Sequence, residues 1–156
     1  MHKRFLVVCC LSLLAACAPK RIPGTNISDT SETRAILQEM ERYRAALEAL
    51  DAKAIVALVS PKFHDDAGTE SPEDDLTYAN LLPHLQALFQ KIKDPKVEMN
   101  VRRVEFSDNG DVAAAVYYWK ASWRLPGLTP RADQDSELKQ MVFQRVDGHW
   151  KIVSGI

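Results

Sequence analysis

Cysteine is scarce in this chain and confined: all three lie within the first seventeen of 156 residues. From Ala18 onward there is none. That excludes a disulfide, a cysteine nucleophile and a thiolate metal site in the larger part of the chain. Long apolar runs are lacking too. The run at Phe5–Leu14 covers ten residues, short of the roughly 20 needed by a bilayer-spanning helix. Charge of one sign is not in excess: 20 Lys and Arg face 21 Asp and Glu, so no basic footprint points to nucleic acid. Paired histidines at helical spacing, a phosphate loop, a dinucleotide fingerprint and a nucleophile elbow are all missing. No metal or cofactor is therefore expected. No internal repeat or low-complexity segment is visible.

What is present begins at the N-terminus. Lys3 and Arg4 precede the apolar run, and small Ala15 and Ala16 follow it. That is the layout of a secretory signal peptide over residues 1–16, cleaved from the mature chain. Leu14-Ala15-Ala16-Cys17 resembles the bacterial lipobox, which implies lipidation of Cys17 by a diacylglyceryl group and further acylation of the new N-terminus. One acyl chain holds weakly, since each buried CH2 contributes about 0.8 kcal/mol, whereas two or three hold almost permanently. The resemblance implies a palmitate-type anchor in the cell envelope. Ala18, where family members retained in the inner membrane often carry Asp, points to the outer membrane facing the periplasm. Without Lys3 and Arg4, 18 basic residues face 21 acidic ones. Residues 17–28 then read as the lipidated cysteine and a Pro/Gly-containing tether, and residues 29–156 as one domain.

Along that domain the apolar pattern changes period. Ile36, Met40, Tyr43, Leu47 and Leu50 form one helical stripe, with Asp29 and Glu32 reading as a capping box. Asp51 reads as the cap of a short second helix closed by Pro61. "KFHDDAG" reads as a short strand and turn. Ser71-Pro72-Glu73-Asp74 reads as the start of a third helix interrupted at Pro83. From Lys96 the period becomes two. Val97, Met99 and Val101 are out of phase with Val104 and Phe106, which predicts a β-bulge near Arg102-Arg103. Asp108-Asn109-Gly110-Asp111 is a turn signal before the strand VAAAVYYWKASWR. A loop over residues 125–136 separates this strand from ELKQMVFQRV. Asp147-Gly148 then leads into the last strand. Helices segregated beside an antiparallel sheet mean α+β.

This order, with Phe143, Arg145, Val146, Asp147, Gly148, Trp150, Lys151 and Ile152 at its end, resembles the nuclear transport factor 2-like superfamily. Its SnoaL-like and ketosteroid isomerase-like branches are included. Residues 48–63 are similar to the second-helix region of that superfamily. The resemblance implies a cone: a curved antiparallel sheet with helices packed on its concave face, a pocket between them, and frequent homodimers packed through the sheets. It implies no single activity, because its members are enzymes, binders and assembly modules.

Candidate residues follow from strand parity. His64 and Asp66 share one face of a strand, Asp65 the other. In an apolar pocket such a pair could move a proton, as in the isomerase branch; a solvated turn is the plainer reading. Tyr117, Trp119 and Trp123 share the parity of Ala113, Ala115 and Ala121. They would either pack against helices or line a ligand pocket. Tyr118 and Arg124 lie on the opposite face, where an interface would form. His84, Tyr78 and His149 show no ligand spacing. The leading expectation is a non-enzymatic, membrane-anchored domain that binds a small apolar ligand or a protein partner. The alternatives are a small isomerase or dehydratase using His64 and Asp66, and a dimeric assembly module of an envelope complex.

Overall fold

A computed structural model describes residues 20–66, 68, 71–127 and 133–156. Residues 1–16, the expected signal peptide, and Cys17 lie outside the described residues. Helix α1 spans Ser31–Glu48, α2 Ala52–Leu58 and α3 Tyr78–Phe89. Strands β1 (His64–Asp65) and β2 (Leu76–Thr77) form a small antiparallel pair. Strands β3 (Lys93–Phe106), β4 (Val112–Arg124), β5 (Asp133–Val146) and β6 (His149–Ser154) form an antiparallel sheet in that order.

Of the expected α1 stripe, Ile36, Met40 and Tyr43 are buried together with Thr33 and Ala46, Leu47 is half-buried, and Leu50 lies past the helix end at Glu48 with φ of 55°. The cap of α1 differs from the expected box. Thr30 is extended (φ −116°, ψ 163°) and its hydroxyl accepts from the Thr33 amide at 3.0 Å. Asp29 is instead held by Arg34 (Nη2–Oδ2 2.8 Å) and Lys20 (3.4 Å). Hydrogen bonding by Arg34, against the opposing effect of burial, pulls its carboxyl down to about 2. Glu32 turns away to accept from Trp150 Nε1 (3.1 Å) and Arg145. The Arg145 guanidinium lies 4.4 Å from the centroid of the Trp150 ring. This clasp joins the start of α1 to the β5–β6 hairpin. Asp51 caps α2, its Oδ1 accepting from the Ala54 amide at 2.9 Å.

The third helix starts later than its Ser71-Pro72 signal suggested. Pairing of β2 with β1 (His64↔Thr77, Asp65↔Leu76) keeps Thr77 extended, so the helix can begin only at Tyr78. There Asn80 Oδ1 accepts from the Thr77 amide at 2.7 Å. Pro83 does not interrupt it. The ring removes one N–H from the second turn, and the helix continues to Phe89 with Leu81 and Leu85 buried.

The phase shift on β3 is a bulge between Val101 and Arg103. Directly opposed residues of an antiparallel pair share a face. The pairs Val97↔Ala121, Met99↔Trp119, Val101↔Tyr117, Val104↔Ala115 and Phe106↔Ala113 therefore all point the same way. The extra residue keeps every apolar side chain of β3 on the concave side. Strand β5 begins at Asp133, earlier than the expected loop end, because it follows β4 along its length to Trp123. Asp147 and Gly148 take φ of 50° and 80°, the left-handed pair that suits a tight hairpin. The core between helices and sheet holds Ile36, Met40, Tyr43, Ile55, Leu81, Tyr117, Met141, Phe143 and Ile152.

Residues 20–28 also fold. Arg21 bridges Ser28, the Ile22 amide donates to Ile27 O (2.9 Å) and the Asp29 amide to Lys20 O (2.7 Å). Thr25 Oγ1 accepts from the Ile27 amide at 3.1 Å, and Ile27 is buried.

Candidate functional site

Three places gather the predicted residues. The first is β1. His64 and Asp66 are exposed and Asp65 is half-buried, the alternation expected of a strand. His64 Nε2 lies 3.4 Å from Asp75 Oδ2. Asp66 Oδ1 accepts from the Gly68 amide at 3.0 Å, an Asx-type turn contact. A shallow depression is lined by His64, Asp65, Asp66, Gln140, Ser154 and Gly155, so His64 and Asp66 border one surface hollow. The inward group is Asp65, whose Oδ2 accepts from the amides of Gly155 (2.6 Å) and Ile156 (3.2 Å).

The second place is the concave face of β4 and β5. Tyr117 is 1% exposed, and its hydroxyl donates to Gly155 O at 3.3 Å. Burial pushes the Tyr117 phenol well above the usual tyrosine range, and the charges of Glu137 and Asp65 add to the effect. Burial raises Tyr43 likewise, with Tyr117 and Asp65 contributing. Further along β4, Trp119 and Trp123 are half-buried. Lys139 Nζ lies 5.2 Å from the centre of the Trp119 ring and 3.0 Å from Glu137 Oε1. This aromatic–charge group sits at the end of the sheet where β4 meets the start of β5.

The sequence placed Asp65 on the strand face opposite His64 and Asp66 and gave it no role, and it singled out none of Glu137, Lys139 and Gly155 as site residues. Glu137 and Lys139 share the parity of Met141 and Phe143, which was the available signal. Their position opposite Trp119 and Tyr117 depends on a register that only pairing fixes. Gly155 carried no signal, because its contact is tertiary.

The third place is the outer face of the sheet. Tyr118 and Leu138 stand directly opposite one another, 50% and 58% exposed. The Arg102 guanidinium lies 5.2 Å from the Tyr118 ring centre. Arg124 shares that parity but sits at the strand end, 3.5 Å from Asp94. His84 and Tyr78 on α3, and His149 beside the last turn, are exposed and apart. Among the described residues no three His, Cys, Asp or Glu side chains gather as a metal site.

No protein-family profile matches the chain, and no curated protein matches it. Solved structures do. One from Novosphingobium aromaticivorans, named for scytalone dehydratase, is 18% identical, with a TM-score of 0.69 over 80% of each chain. A nuclear transport factor 2-like superfamily protein from Salmonella enterica is 12% identical, with a TM-score of 0.67 over 80% of this chain and 87% of that one. A Xanthomonas campestris structure named for the calcium/calmodulin-dependent protein kinase II association domain is 18% identical, with a TM-score of 0.65 over 88% and 90%. At such identities the likeness carries the fold and no activity. The helices, the bulged antiparallel sheet and these neighbours together make this a nuclear transport factor 2-like fold.

Proposed function

We propose that the chain is a lipid-anchored, non-enzymatic domain of the cell envelope that engages a protein partner through the outer face of its sheet. The observation that carries this is the filled interior of the cone. Tyr117, Met141, Phe143, Ile36 and Leu81 are each at most 1% exposed. The polar groups that catalysis would call on already hold the fold together. The Tyr117 hydroxyl binds a backbone carbonyl, Asp65 binds two amides and Asp66 closes a turn. A general acid or base needs reach to a bound substrate, and this arrangement favours binding over proton transfer. The exposed Tyr118–Leu138 pair supplies an apolar surface instead. Its surroundings carry both charge signs, with Lys120 Nζ 3.8 Å from Glu98 Oε1, so two copies of this face can meet without net repulsion.

Sedimentation equilibrium of a chain lacking residues 1–17 checks the self-association form of this reading. A dimer that Leu138→Asp converts to monomer is expected. A strictly monomeric parent chain counts against a second copy as the partner. The half-exposed Trp119 beside Lys139 and Glu137, with half-exposed Trp123 further along β4, favours a second reading, a small apolar ligand held at the end of the cone. Tryptophan fluorescence against a hydrophobic compound library tests it, and an unchanged signal throughout would remove it.

A further inference from the structure

The stretch between the lipidation motif and α1 has the composition of a flexible tether. Twelve free residues, 17–28, would reach roughly 40 Å when extended and would leave the domain free to tumble. The structure arranges most of that stretch differently. Residues 20–28 form a closed hairpin, bridged at Arg21 and Ser28 and turned at Gly24 (φ 76°). Its base is tied by Asp29 to Lys20 and Arg34. Its inner side chain, Ile27, is 5% exposed. Ile27 borders one depression with Leu37 of α1 and Met99 and Val101 of β3. The hairpin tip, Gly24–Asn26, borders another with Asn100, Val101 and Arg102.

We propose that this hairpin is a docked collar that sets how the domain sits on the bilayer. The β3 edge around Arg102 and Arg103 is then the surface apposed to the leaflet that holds the Cys17 lipid. The inference rests on the lipid-anchor reading above. Three residue steps separate Cys17 from Lys20, and they span at most about 10 Å. Lys20, Arg21, Arg102 and Arg103 are all exposed, Lys20 at the hairpin base beside Asp29 and Arg102 between the hairpin tip and the Tyr118 ring, and anionic headgroups attract such cations. Arg103 keeps Glu105 as a partner at 3.2 Å, so reach, more than charge, sets the orientation. With the β3 edge toward the membrane, the sheet stands upright. Tyr118 and Leu138 then face along the membrane plane, open to a second anchored molecule.

The test uses the full chain, lipidated in a bacterial host and reconstituted into phosphatidylethanolamine–phosphatidylglycerol vesicles with a headgroup nitroxide. The mature chain has no thiol besides Cys17, so one introduced cysteine is labelled uniquely. Arg103→Cys carries a fluorophore one residue from Arg102, which borders the hairpin tip. Gln90→Cys carries it beside Leu50 and Ala52, at the far end of α1, a helix about 27 Å long. Quenching at position 103 at least threefold stronger than at 90 is expected. Ile27→Asp should abolish the contrast by undocking the collar. A six-residue Gly-Ser insertion between Pro19 and Lys20 should abolish it without touching the collar, which covers the case where Ile27→Asp fails to fold. Equal quenching at the two positions, or a contrast that survives the insertion, overturns the inference. Mass analysis of residue 17 separates the two readings. Absence of acyl groups removes the anchor and the inference together. Acylation with equal quenching removes the inference alone.

Discussion

At Gly155 a side-chain carbon would lie 1.9 Å from the carbonyl oxygen of Gln140, and the backbone there has φ of +86°. Either condition disfavours any other residue; together they make Gly155→Ala destabilising by about 2–4 kcal/mol, measurable by urea unfolding. The same residue connects Asp65, through its N–H, to Tyr117, through its carbonyl, so the damage reaches the inner end of β1. The two deeply buried tyrosines set an alkaline limit. For Tyr43 and Tyr117 the folded state raises the phenol above its unfolded value, so their contribution is complete below about pH 10. It is lost as pH rises toward the folded values, because the unfolded chain ionises first. Circular dichroism should therefore show stability falling above about pH 10. In tyrosinate absorbance the signal of Tyr43 and Tyr117 should appear only as the fold is lost.

At the scale of elements, α1 separates two neighbours that sequence alone confuses. Asp29 and Thr30 are both good cap residues, but only the Thr30 hydroxyl meets an amide of the first turn. Thr30→Ala should cost about 1 kcal/mol of stability. Asp29→Ala should leave the helix start intact by circular dichroism and free Lys20. The β3 bulge was legible because a phase change in apolar alternation has few other causes. So was the inward parity of β4, where alanines alternate with lysine, serine and arginine. The start of α3 was not legible. Ser71-Pro72 is a sound local signal, overridden by pairing of Thr77 with His64, a contact between distant residues. The same limit hid the charged neighbours of the β4 aromatics. Glu137 and Lys139 become neighbours of Trp119 only through the β4–β5 register, and Asp65 gains its amides from residues ninety positions away.

For the whole molecule, the proposed anchor and the fold rest on separate parts of the chain. Cys17→Ala should abolish incorporation of labelled palmitate while leaving the thermal unfolding of the domain unchanged; labelling that persists in the variant would remove the anchor. The clasp at the start of α1 adds a mechanical property. Glu32 holds Arg145 and Trp150 across more than a hundred residues of sequence, close to the helix end that follows the collar. A pull entering the chain at Lys20 is thus shared between α1 and the β5–β6 hairpin. Unravelling the helix from its first residue would require breaking a contact with the sheet as well. Tension applied at that corner would meet this clasp before it reached the core.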